Sequence, residues 1–558
     1  MKKLNGSQMI SEALKHEGVS VVFGYPGGAA LNIYDETYKQ NYFTHILTRH
    51  EQAAVHAADG YARATGKVGV AFVTSGPGFT NAVTGLATAY ADSIPLVLIS
   101  GQVALPLIGT DAFQEIDAVG ISRPCVKHNF LVKTVDELPL VLKQAFYIAR
   151  SGRPGPVHVD IPKDVTAAIG EFKYPDEIKM QTYKPNTKGH PNQIKKACDA
   201  IAKSKKPIAY IGGGAISSNS SDEIRKFLSK TKIPAVETLM ALGVLRSDDD
   251  LNLGMVGMHG SYAANMALSE ADLIICLGAR FDDRVTGKLS EFGKNAKVIH
   301  VDIDPSSIGK IVNAEFPIVG DLKNVMIELN SKIDLDPANF ASWRDQIKIY
   351  ENLHPLGFKD SDEVLKPQWV IQNIASIVGN DAIIATDVGQ HQMWVAQFYP
   401  FNHPRQLLTS GGLGTMGFGL PSAMGAAFGS DKPVIAVSGD GGFLMNVQEL
   451  MTLSANKKRV INIVLNNNFL GMVRQWQTFF YGGRYSNTDL ELQPDFVKVC
   501  EGFGGIGFSV ETKDEFKKAL QTALKSDTVS VIEVKIDRFE NVLPMVPAGA
   551  AIYNMILE

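Results

Sequence analysis

The sequence predicts an α/β protein with three doubly wound domains, each built on a parallel sheet. Three observations lead to this prediction: short runs of β-branched residues recur along the 558 residues, a glycine-rich or polar turn follows each run, and a helical pattern comes next. This alternation is typical of parallel strands whose connecting helices cover both faces of a sheet. The chain length agrees, since about 150 residues per domain gives three or four domains.

Two weakly patterned stretches divide the predicted strands into three groups. The stretches near 170–191 and 332–364 lack a sustained apolar period, so we interpret them as linkers, the second with some helix. The predicted strands are 20–23, 68–73, 96–100 and 157–161, then 207–214, 234–240, 272–280, 297–304 and 317–321, and finally 382–389, 433–441, 461–468 and 529–537. The predicted domains are 1–168, 190–335 and 365–540, followed by a mobile C-terminal lid or tail at 541–558.

The composition excludes several classes of protein. Apolar residues make up 45% and charged residues 20%, so each domain can bury an ordinary core. The 54 basic and 58 acidic residues give a net charge of −4, which does not favour nucleic acid as a partner. No apolar stretch is long enough to span a membrane, and no signal peptide is apparent. The four cysteines lack a Cys-x-x-Cys pair, so we expect a reducing compartment and a soluble, cytoplasmic protein.

The strongest chemical signal lies in the third predicted domain. One apolar run, VIAVS, ends in GDGG at 439–442, and the next, INIVL, ends in three asparagines at 466–468. Both clusters should lie at the carboxyl ends of parallel strands, where α/β sheets bind ligands. A carboxylate from Asp440, an asparagine oxygen and a backbone carbonyl suit Mg²⁺, and the glycines admit a phosphate. From these residues alone, two ordinary turns with a helix-capping aspartate are an equally good interpretation.

The spacing of these two clusters resembles the diphosphate-binding motif of the thiamine diphosphate enzymes. The resemblance implies that Asp440 and Asn467 bind Mg²⁺ through their side chains and Phe469 through its carbonyl. Thiamine diphosphate and Mg²⁺ are therefore the expected cofactor and metal. Such an enzyme also needs a carboxylic acid that gives a proton to the pyrimidine ring of the cofactor, which must come from a distant segment.

Glu51 is the candidate for that acid. It starts a predicted helix, with Ala54, Val55 and Ala58 at the spacing of an apolar stripe, so we expect a buried carboxyl with a raised pKa. The alternative is a solvent-facing glutamate favoured by the helix N-terminus. The surrounding RHEQAA, followed by SGPG, resembles the segment that carries the activating glutamate in the same superfamily and favours the first interpretation.

The segment 412–417 fits the dinucleotide pattern G-x-G-x-x-G. That pattern needs an acidic residue at the end of the next strand, whereas Asp431 precedes its strand, so we do not expect an NAD site here. The resemblance implies a different role: Met416 would support the bent cofactor from beneath, and Gly414 would lie against the diphosphate. Met416 as an ordinary core residue is the alternative.

Further segments narrow the resemblance to the acetolactate synthase family, whose pattern runs over nearly the whole chain. They include YPGG (25–28), GTDAFQEID (109–117), GARFDDR (278–284), VGQHQMW (388–394) and LGMVRQWQ (470–477). The resemblance implies a carboligase that decarboxylates pyruvate and joins the two-carbon unit to a second pyruvate or to 2-ketobutyrate. This is the first common step of branched-chain amino-acid biosynthesis. The substrates would be small 2-ketoacids, the assembly a homodimer or homotetramer, and a small regulatory subunit a possible partner.

Family roles carry over to matching positions. Glu51 would activate the cofactor, Gly28 would offer backbone polarity near the reacting carbonyl, and Lys163 would attract carboxylates. Phe113 and Gln114 would line the substrate channel and Trp476 would shape the second-substrate pocket, although packing aromatics and a solvated lysine are the plainer interpretations. The remaining positions implied for the thiamine cofactor are Gly389, Gln390, His391, Gly439, Gly441, Gly442, Gly471, Met472 and Val473.

The middle domain resembles the FAD-binding part of the same family, with GARFDDR typical of the flavin-containing type. Glycine loops and arginine can hold a diphosphate, and acidic residues can hold hydroxyls. The alternative is an α/β domain with an empty crevice. The positions implied for FAD are Arg153, Gly212, Gly213, Gly214, Thr238, Leu239, Met240, Gly257, Met258, His259, Gly278, Ala279, Arg280, Asp282, Arg284, Asp302, Ile303 and Asp321.

Two other functions stay open at this point. A flavin- and thiamine-dependent oxidoreductase of the pyruvate oxidase type would share the glutamate, the GDG…NN motif and FAD. A non-enzymatic partner that keeps the fold without the chemistry is the second alternative. The RQWQ and GARFDDR segments disfavour the first, and the intact Glu51, Asp440 and Asn467 disfavour the second.

Overall fold

The computed structural model describes residues 2–558 and confirms the predicted fold class. It contains three sheets of six parallel strands and one small antiparallel pair at 2–5 and 169–172. Helices lie between the strands along the chain, as the alternating pattern predicts. Within these residues, no helix is both long and apolar enough to cross a membrane.

The first domain is built around the first six-stranded sheet. The antiparallel pair joins the start of this domain to its end, with Lys2 opposite Phe172. Its strands are β1 (Lys2–Asn5), β2 (Val21–Gly24), β3 (Thr44–Leu47), β4 (Gly69–Val73), β5 (Leu96–Gln102), β6 (His128–Leu131), β7 (Pro156–Pro162) and β8 (Ile169–Phe172). Its helices are α1 (Gly6–His16), α2 (Leu31–Lys39), α3 (Glu51–Thr65), α4 (Pro77–Ala91), α5 (Ala118–Ser122), α6 (Leu138–Arg150) and α7 (Lys163–Ala167).

The central domain follows residues 173–190, which form neither helix nor strand. Its strands are β9 (Pro207–Ile211), β10 (Ala235–Glu237), β11 (Asn252–Met255), β12 (Leu273–Leu277), β13 (Lys297–Asp302) and β14 (Phe316–Val319). Its helices are α8 (Pro191–Lys203), α9 (Gly214–Ser217), α10 (Ser221–Thr231), α11 (Tyr262–Glu270), α12 (Asp283–Thr286) and α13 (Leu322–Lys332), and α14 (Ala341–Leu353) lies in the second predicted linker.

The third domain carries the remaining six-stranded sheet. Its strands are β15 (Ile383–Thr386), β16 (Leu407–Leu408), β17 (Val434–Gly439), β18 (Ile461–Asn466), β19 (Ile506–Val510) and β20 (Ser530–Lys535). Its helices are α15 (Pro367–Val378), α16 (Gln390–Phe398), α17 (Gly419–Gly429), α18 (Asp440–Phe443), α19 (Glu449–Ala455), α20 (Gly471–Phe480), α21 (Phe496–Gly502) and α22 (Lys513–Ala523). Short 3₁₀ turns occupy Gly28–Ala30, Leu105–Leu107, Arg123–Cys125, Leu239–Ala241, Pro337–Phe340 and Leu444–Asn446.

The two outer sheets share one strand order, and the central sheet has another. The outer orders are β3-β2-β4-β5-β7-β6 and β16-β15-β17-β18-β20-β19, which are the same pattern when the strands of each six-stranded sheet are counted from its first, β2 or β15. The central order, β11-β10-β9-β12-β13-β14, is the 3-2-1-4-5-6 order of dinucleotide-binding sheets. In such a sheet the ligand crevice opens where the order reverses, here between β9 and β12.

Helices α3 and α17 join the first and third domains into one hydrophobic core. Val55 and Phe79 of the first domain belong to the same buried cluster as Leu420 and Phe443 of the third. The two helices approach closely because Gly60 and Gly425 have no side chains. A Cβ atom on Gly425 would lie 1.8 Å from the Ala57 carbonyl oxygen, and one on Gly60 would lie 2.1 Å from the Ser422 carbonyl oxygen.

The C-terminal segment that was predicted as a lid or tail packs against the rest of the chain, and its mobility stays a prediction. Val542 and Met545 are fully buried. The Val546 N–H donates to the Met258 carbonyl at 2.8 Å, and the Gln397 amide donates to the Leu543 carbonyl at 3.2 Å. Apolar side chains of this segment therefore lie at the junction between the third and central domains.

Candidate active site

The polar clusters predicted at two strand ends of the third domain lie side by side. Asp440 begins α18 directly after β17, and Asn467 directly follows β18. Strands β17 and β18 are parallel neighbours, with Gly439 paired to Leu465. The Asp440 carboxylate is 1% exposed and accepts hydrogen bonds from the Gly441 N–H at 3.0 Å and the Gln493 amide at 2.9 Å. Burial raises the pKa of Asp440 to about 7. A nearby cation would favour its ionised form.

Asn467 and Phe469 follow the neighbouring strand and carry neutral amide and carbonyl oxygens. The Asn467 side-chain oxygen accepts the Phe469 N–H at 3.1 Å, and its amide group faces the Gln390 oxygen at 3.4 Å. Within residues 2–558, no group of three or more histidine, cysteine, aspartate or glutamate side chains could hold a metal ion. A divalent cation at this edge would therefore bind one carboxylate together with amide and carbonyl oxygens, a donor set that suits Mg²⁺.

His391 lies against the same strand ends with a free ring nitrogen. A Cβ atom on Gly389 would lie 2.9 Å from the imidazole and one on Gly439 would lie 3.1 Å from it, so the ring packs closely against both glycines. Burial lowers the pKa of His391 to about 4, which keeps the ring neutral near pH 7. Its Nε2 atom is buried and has no hydrogen-bond partner in the described part of the chain. It is available to a ligand such as a phosphate oxygen.

Glu51 starts α3 as predicted, with Ala54, Val55 and Ala58 fully buried on the stripe behind it. Its carboxylate accepts the Asn81 amide of α4 at 3.0 Å. The expectation that Glu51 is buried is wrong for a single chain, in which the residue is only half-buried. The first turn of α3 reaches the edge of the domain, so the side chain lies beside α4 instead of entering the core.

The other predicted substrate-side residues surround the same edge of the first domain. Phe113 is 88% exposed, and Lys163 projects from the exposed start of α7. Gln114 adopts a left-handed backbone with φ +61 and lies over Gly76, where an added Cβ would come 2.8 Å from the Gln114 carbonyl oxygen. Such a conformation costs energy in a non-glycine residue and often marks a binding loop.

Gly28 is exposed, and a Cβ atom placed on it would have no neighbour within 4 Å. Its neighbour Gly27 is the residue that needs to be glycine, because a Cβ there would lie 2.4 Å from the Thr74 side chain. The backbone turn of the YPGG segment is therefore held by Gly27, and it presents Gly28 towards open space.

A cavity of about 1510 Å³ is lined by residues of all three domains. Its wall contains the predicted third-domain positions Gly389, Gly414, Met416, Met472, Val473 and Trp476. It also contains every central-domain position predicted for FAD except Gly257, together with Arg153 of the first domain. Gly257 lies behind the wall, where its N–H and carbonyl each bond the Asn265 side chain at 2.9 Å.

The central part of the cavity has the chemistry of a dinucleotide site. It opens at the reversal point of the sheet, beside Gly212 and Gly278, where a Cβ on Gly212 would lie 2.3 Å from the Gly278 carbonyl oxygen. The Thr238 hydroxyl is buried without a hydrogen-bond partner among the described residues. Arg153 pairs with Asp304 at 3.3 Å at the cavity edge. The backbone can therefore approach a diphosphate, and an unused hydroxyl faces the space where one would lie.

Two features of the 410–419 segment bear on its interpretation. It connects β16 with α17, and Asp431 is exposed ahead of β17, so Asp431 does not end the strand as the acidic residue of an NAD site would. The Asp387 carboxylate, which the sequence analysis did not single out, accepts the N–H groups of Gly417 at 2.9 Å and Gly419 at 3.0 Å. In the sequence, Asp387 could have been found by its position in the predicted strand segment 382–389, directly after the apolar residues of β15.

Three family models match the chain, one for each sheet. They describe the thiamine pyrophosphate enzyme N-terminal TPP binding domain at residues 4–121, the central domain at 194–329 and the C-terminal TPP binding domain at 387–534. The matched regions contain Glu51, the central crevice and the Asp440–Asn467 edge, respectively.

Curated proteins are similar over the full chain. The acetolactate synthase large subunit of Haemophilus influenzae is 48% identical, covering 100% of this chain and 99% of that protein. The acetolactate synthase isozyme 3 large subunit of Escherichia coli is 46% identical with the same coverage. The probable acetolactate synthase large subunit of Methanocaldococcus jannaschii is 47% identical, covering 99% of this chain and 95% of that protein.

Proposed function

Because this chain belongs to the acetolactate synthase large subunits among the thiamine pyrophosphate enzymes, we propose that it joins two 2-ketoacids at the edge formed by Asp440 and Asn467. The function is that of an acetolactate synthase, a thiamine diphosphate-dependent carboligase. The observation that carries the proposal is the buried carboxylate and amide at adjacent strand ends, beside a neutral histidine with an unused nitrogen.

These residues fit thiamine diphosphate held through Mg²⁺. Asp440, Asn467 and the Phe469 carbonyl would bind the metal, and His391 with the glycines at 389 and 439 would receive the diphosphate. When bound, the cofactor supplies a cationic ring that stabilises the negative charge left by loss of carbon dioxide from pyruvate. The chain supplies the orientation of that ring and the exclusion of water around it.

Glu51 moves the proton that prepares the cofactor. Its carboxyl would donate a hydrogen bond to a ring nitrogen of the pyrimidine, while Asn81 holds the other oxygen in place. A general acid of this kind contributes about 10²–10⁴-fold to a rate. Met416 and Trp476, on the cavity wall, would set the bend of the cofactor and the shape of the second 2-ketoacid site.

We also propose that the central crevice binds FAD. The 3-2-1-4-5-6 strand order, the close glycine contacts and the unpaired Thr238 hydroxyl all suit a dinucleotide. FAD would hold the central domain against the third domain, since the cavity wall is shared by both. The carboligation has no net oxidation, so this flavin would be structural.

The proposed assembly is a homodimer or homotetramer in which each site is shared. In one chain the cavity wall holds Met416 and Trp476 but does not include Glu51, Gln114 or Phe113. The exposed face of the first domain, with Phe113 at 88% exposure, would complete the site of a second subunit. A small regulatory subunit is a further proposed partner, because the relatives are named large subunits.

Purified protein with pyruvate, Mg²⁺ and thiamine diphosphate tests the function. We expect acetolactate to form without oxygen uptake, and added 2-ketobutyrate to yield the mixed product. A flavin absorption band that persists through turnover would support a structural FAD. Oxygen uptake with acetate or acetyl phosphate as product would contradict the carboligase and indicate an oxidase.

A further inference from the structure

One buried carboxylate from the first domain holds a loop of the third domain. We call residues 410–417 the Met416 loop. Asp92, the residue that ends α4, accepts the N–H of Gly411 at 3.1 Å and of Gly412 at 2.7 Å. Its side chain is 0% exposed, and both carboxylate oxygens accept hydrogen bonds, although the residue also forms part of the cavity wall. Two consecutive amides on one carboxylate fix the backbone at the start of the Met416 loop.

Arg63 completes this contact from α3. Its guanidinium donates to Asp92 at 2.8 Å, to the Thr409 carbonyl at 2.8 Å and to Asp59 at 2.5 Å. The Arg63 side chain is only 5% exposed. Buried charges persist only when their partners are in place, and loss of one partner leaves the other charge uncompensated. The Arg63–Asp92 ion pair and the Met416 loop therefore stabilise each other.

Helix α4 also holds the other end of the Met416 loop. The Thr88 hydroxyl of α4 hydrogen-bonds the Thr415 hydroxyl at 2.7 Å, and both side chains are buried. The Thr415 N–H donates to the Ser410 hydroxyl at 3.0 Å, which closes the loop on itself. Met416 follows directly and reaches the cavity wall. The two neighbours of Met416 are therefore both fixed: Thr415 bonds Thr88, and the Gly417 N–H donates to Asp387.

We propose that Asp92 is a positioning residue for Met416, and that α4 links the Met416 loop to the Glu51 carboxylate. This inference rests on the proposed function. Asn81, near the start of α4, holds Glu51, and Asp92, at its end, holds the Met416 loop. The 15 residues of α4 form a rigid rod of about 22 Å. If Glu51 serves the site of a second subunit, α4 connects one cofactor to the other.

Hydrogen exchange on the cofactor-free protein tests the contact itself. In Asp92→Ala, the amides of Gly411 and Gly412 lose their acceptor, so the peptide covering the Met416 loop should exchange at least about tenfold faster. The matched control is Glu17→Gln, because Glu17 is also a buried acid of the first domain, paired with Lys143 and Arg150 away from the loop. Wild-type exchange of the loop in Asp92→Ala would overturn the proposal.

The consequence for the cofactor is measured separately. Asp92→Asn keeps an acceptor oxygen and the side-chain shape, so it should fold even if Asp92→Ala does not. We expect a kcat lower by about 10–100-fold with the KM for pyruvate within about threefold, because a misplaced support alters geometry more than substrate affinity. Deuterium exchange at the thiazolium carbon of the bound cofactor should slow by about tenfold.

These two experiments separate the inference from the proposed function. If the wild-type protein makes no acetolactate, the function fails while the loop exchange still tests the contact. If Asp92→Asn keeps the wild-type kcat and the wild-type exchange at the cofactor, Asp92 is a structural residue and the positioning role is wrong. Glu17→Gln should match the wild type in both measurements.

Discussion

The first and third domains have separate sheets of one strand order, and each places a different acidic residue after the carboxyl end of a strand. In the first, β3 leads to Glu51, whose carboxylate is half-buried and held by Asn81. In the third, β17 leads to Asp440, whose carboxylate is 1% exposed and has a pKa raised to about 7 by burial. Because the strand order is identical, the residues at the strand ends and not the fold distinguish the proposed proton donor of one domain from the proposed metal site of the other.

The largest expected effect comes from removing the proton of the first domain. Glu51→Gln keeps the size of the side chain and its contact with Asn81, but it cannot donate an acidic proton. We expect kcat to fall by about 10²–10⁴-fold, with the Kd for thiamine diphosphate within about threefold. Steady-state kinetics together with tryptophan fluorescence titration would measure both quantities.

The control for this variant is Gln52→Glu, which places an acid one residue later on α3. It should not restore activity when combined with Glu51→Gln, since position 52 lies about 100° further around the helix. Near-wild-type turnover of Glu51→Gln alone would show that the first domain does not supply the proton.

In the third domain, the corresponding change should affect affinity. Asp440→Ala removes the only carboxylate among the three proposed metal ligands. We expect the Kd for thiamine diphosphate with Mg²⁺ to rise by about 100-fold, since hydrogen bonds and contacts to a charged group are worth about 1.5–3 kcal/mol each. Isothermal titration at several Mg²⁺ concentrations would measure the change. An affinity equal to that of the wild type would place the metal elsewhere.

The junction between the two outer domains gives a smaller, structural test. In Gly425→Ala the new methyl group would lie 1.8 Å from the Ala57 carbonyl oxygen, so α3 and α17 must separate. We expect a loss of at least about 3 kcal/mol in unfolding free energy, the upper part of the range for overpacked cores. Gly502→Ala is the matched control, because its Cβ would meet nothing within 4 Å. Thermal unfolding of both variants should show a large loss only for Gly425→Ala.

The sequence pattern predicted the buried strands better than the edge strands. Strands such as β4, β5, β12 and β17 are buried on both faces and therefore appear as continuous apolar runs. The parallel strands that the pattern missed are β3, β6, β11, β16 and β19, and every one lies at the edge of its sheet. Edge strands are short or partly exposed, so their composition resembles that of loops.

The site was predictable where its residues lie in one continuous segment. The segments around Asp440 and Glu51 are local: Asp440 follows a predicted strand, and Glu51 begins a predicted helix. By contrast, Asp92 meets Gly412, which is 320 residues away in sequence, so no local pattern predicts this contact. The burial of Glu51 was overestimated for a related reason, since an apolar stripe predicts the face of a helix but not how far its first turn extends beyond the core.

The smallest expected effect concerns the pH dependence of stability. It compares two buried acids, Asp160 and Glu533, which lie in corresponding strands of the two outer sheets. Asp160 of β7 is bonded by Ser100 at 2.5 Å and Gln102 at 3.0 Å, and Glu533 of β20 is bonded by Asn466 and Ser509 at 2.7 Å each. Burial raises the pKa of Asp160 from 3.8 to about 7.

A carboxyl whose folded-state pKa is raised stabilises the protein below its unfolded pKa, and that contribution is lost as the pH rises towards the folded value. Asp160 should therefore lower the unfolding free energy by about 2 kcal/mol between about pH 5 and about pH 7. Asp160→Asn removes the titrating group, so its stability relative to the wild type should improve over this interval. Thermal unfolding at about pH 5, 6 and 7 would measure the trend, with Glu533→Gln as the counterpart from the third domain. If the difference in unfolding free energy between Asp160→Asn and the wild type stayed constant with pH, Asp160 would remain ionised over this interval. The hydrogen bonds from Ser100 and Gln102 would then compensate fully for its burial.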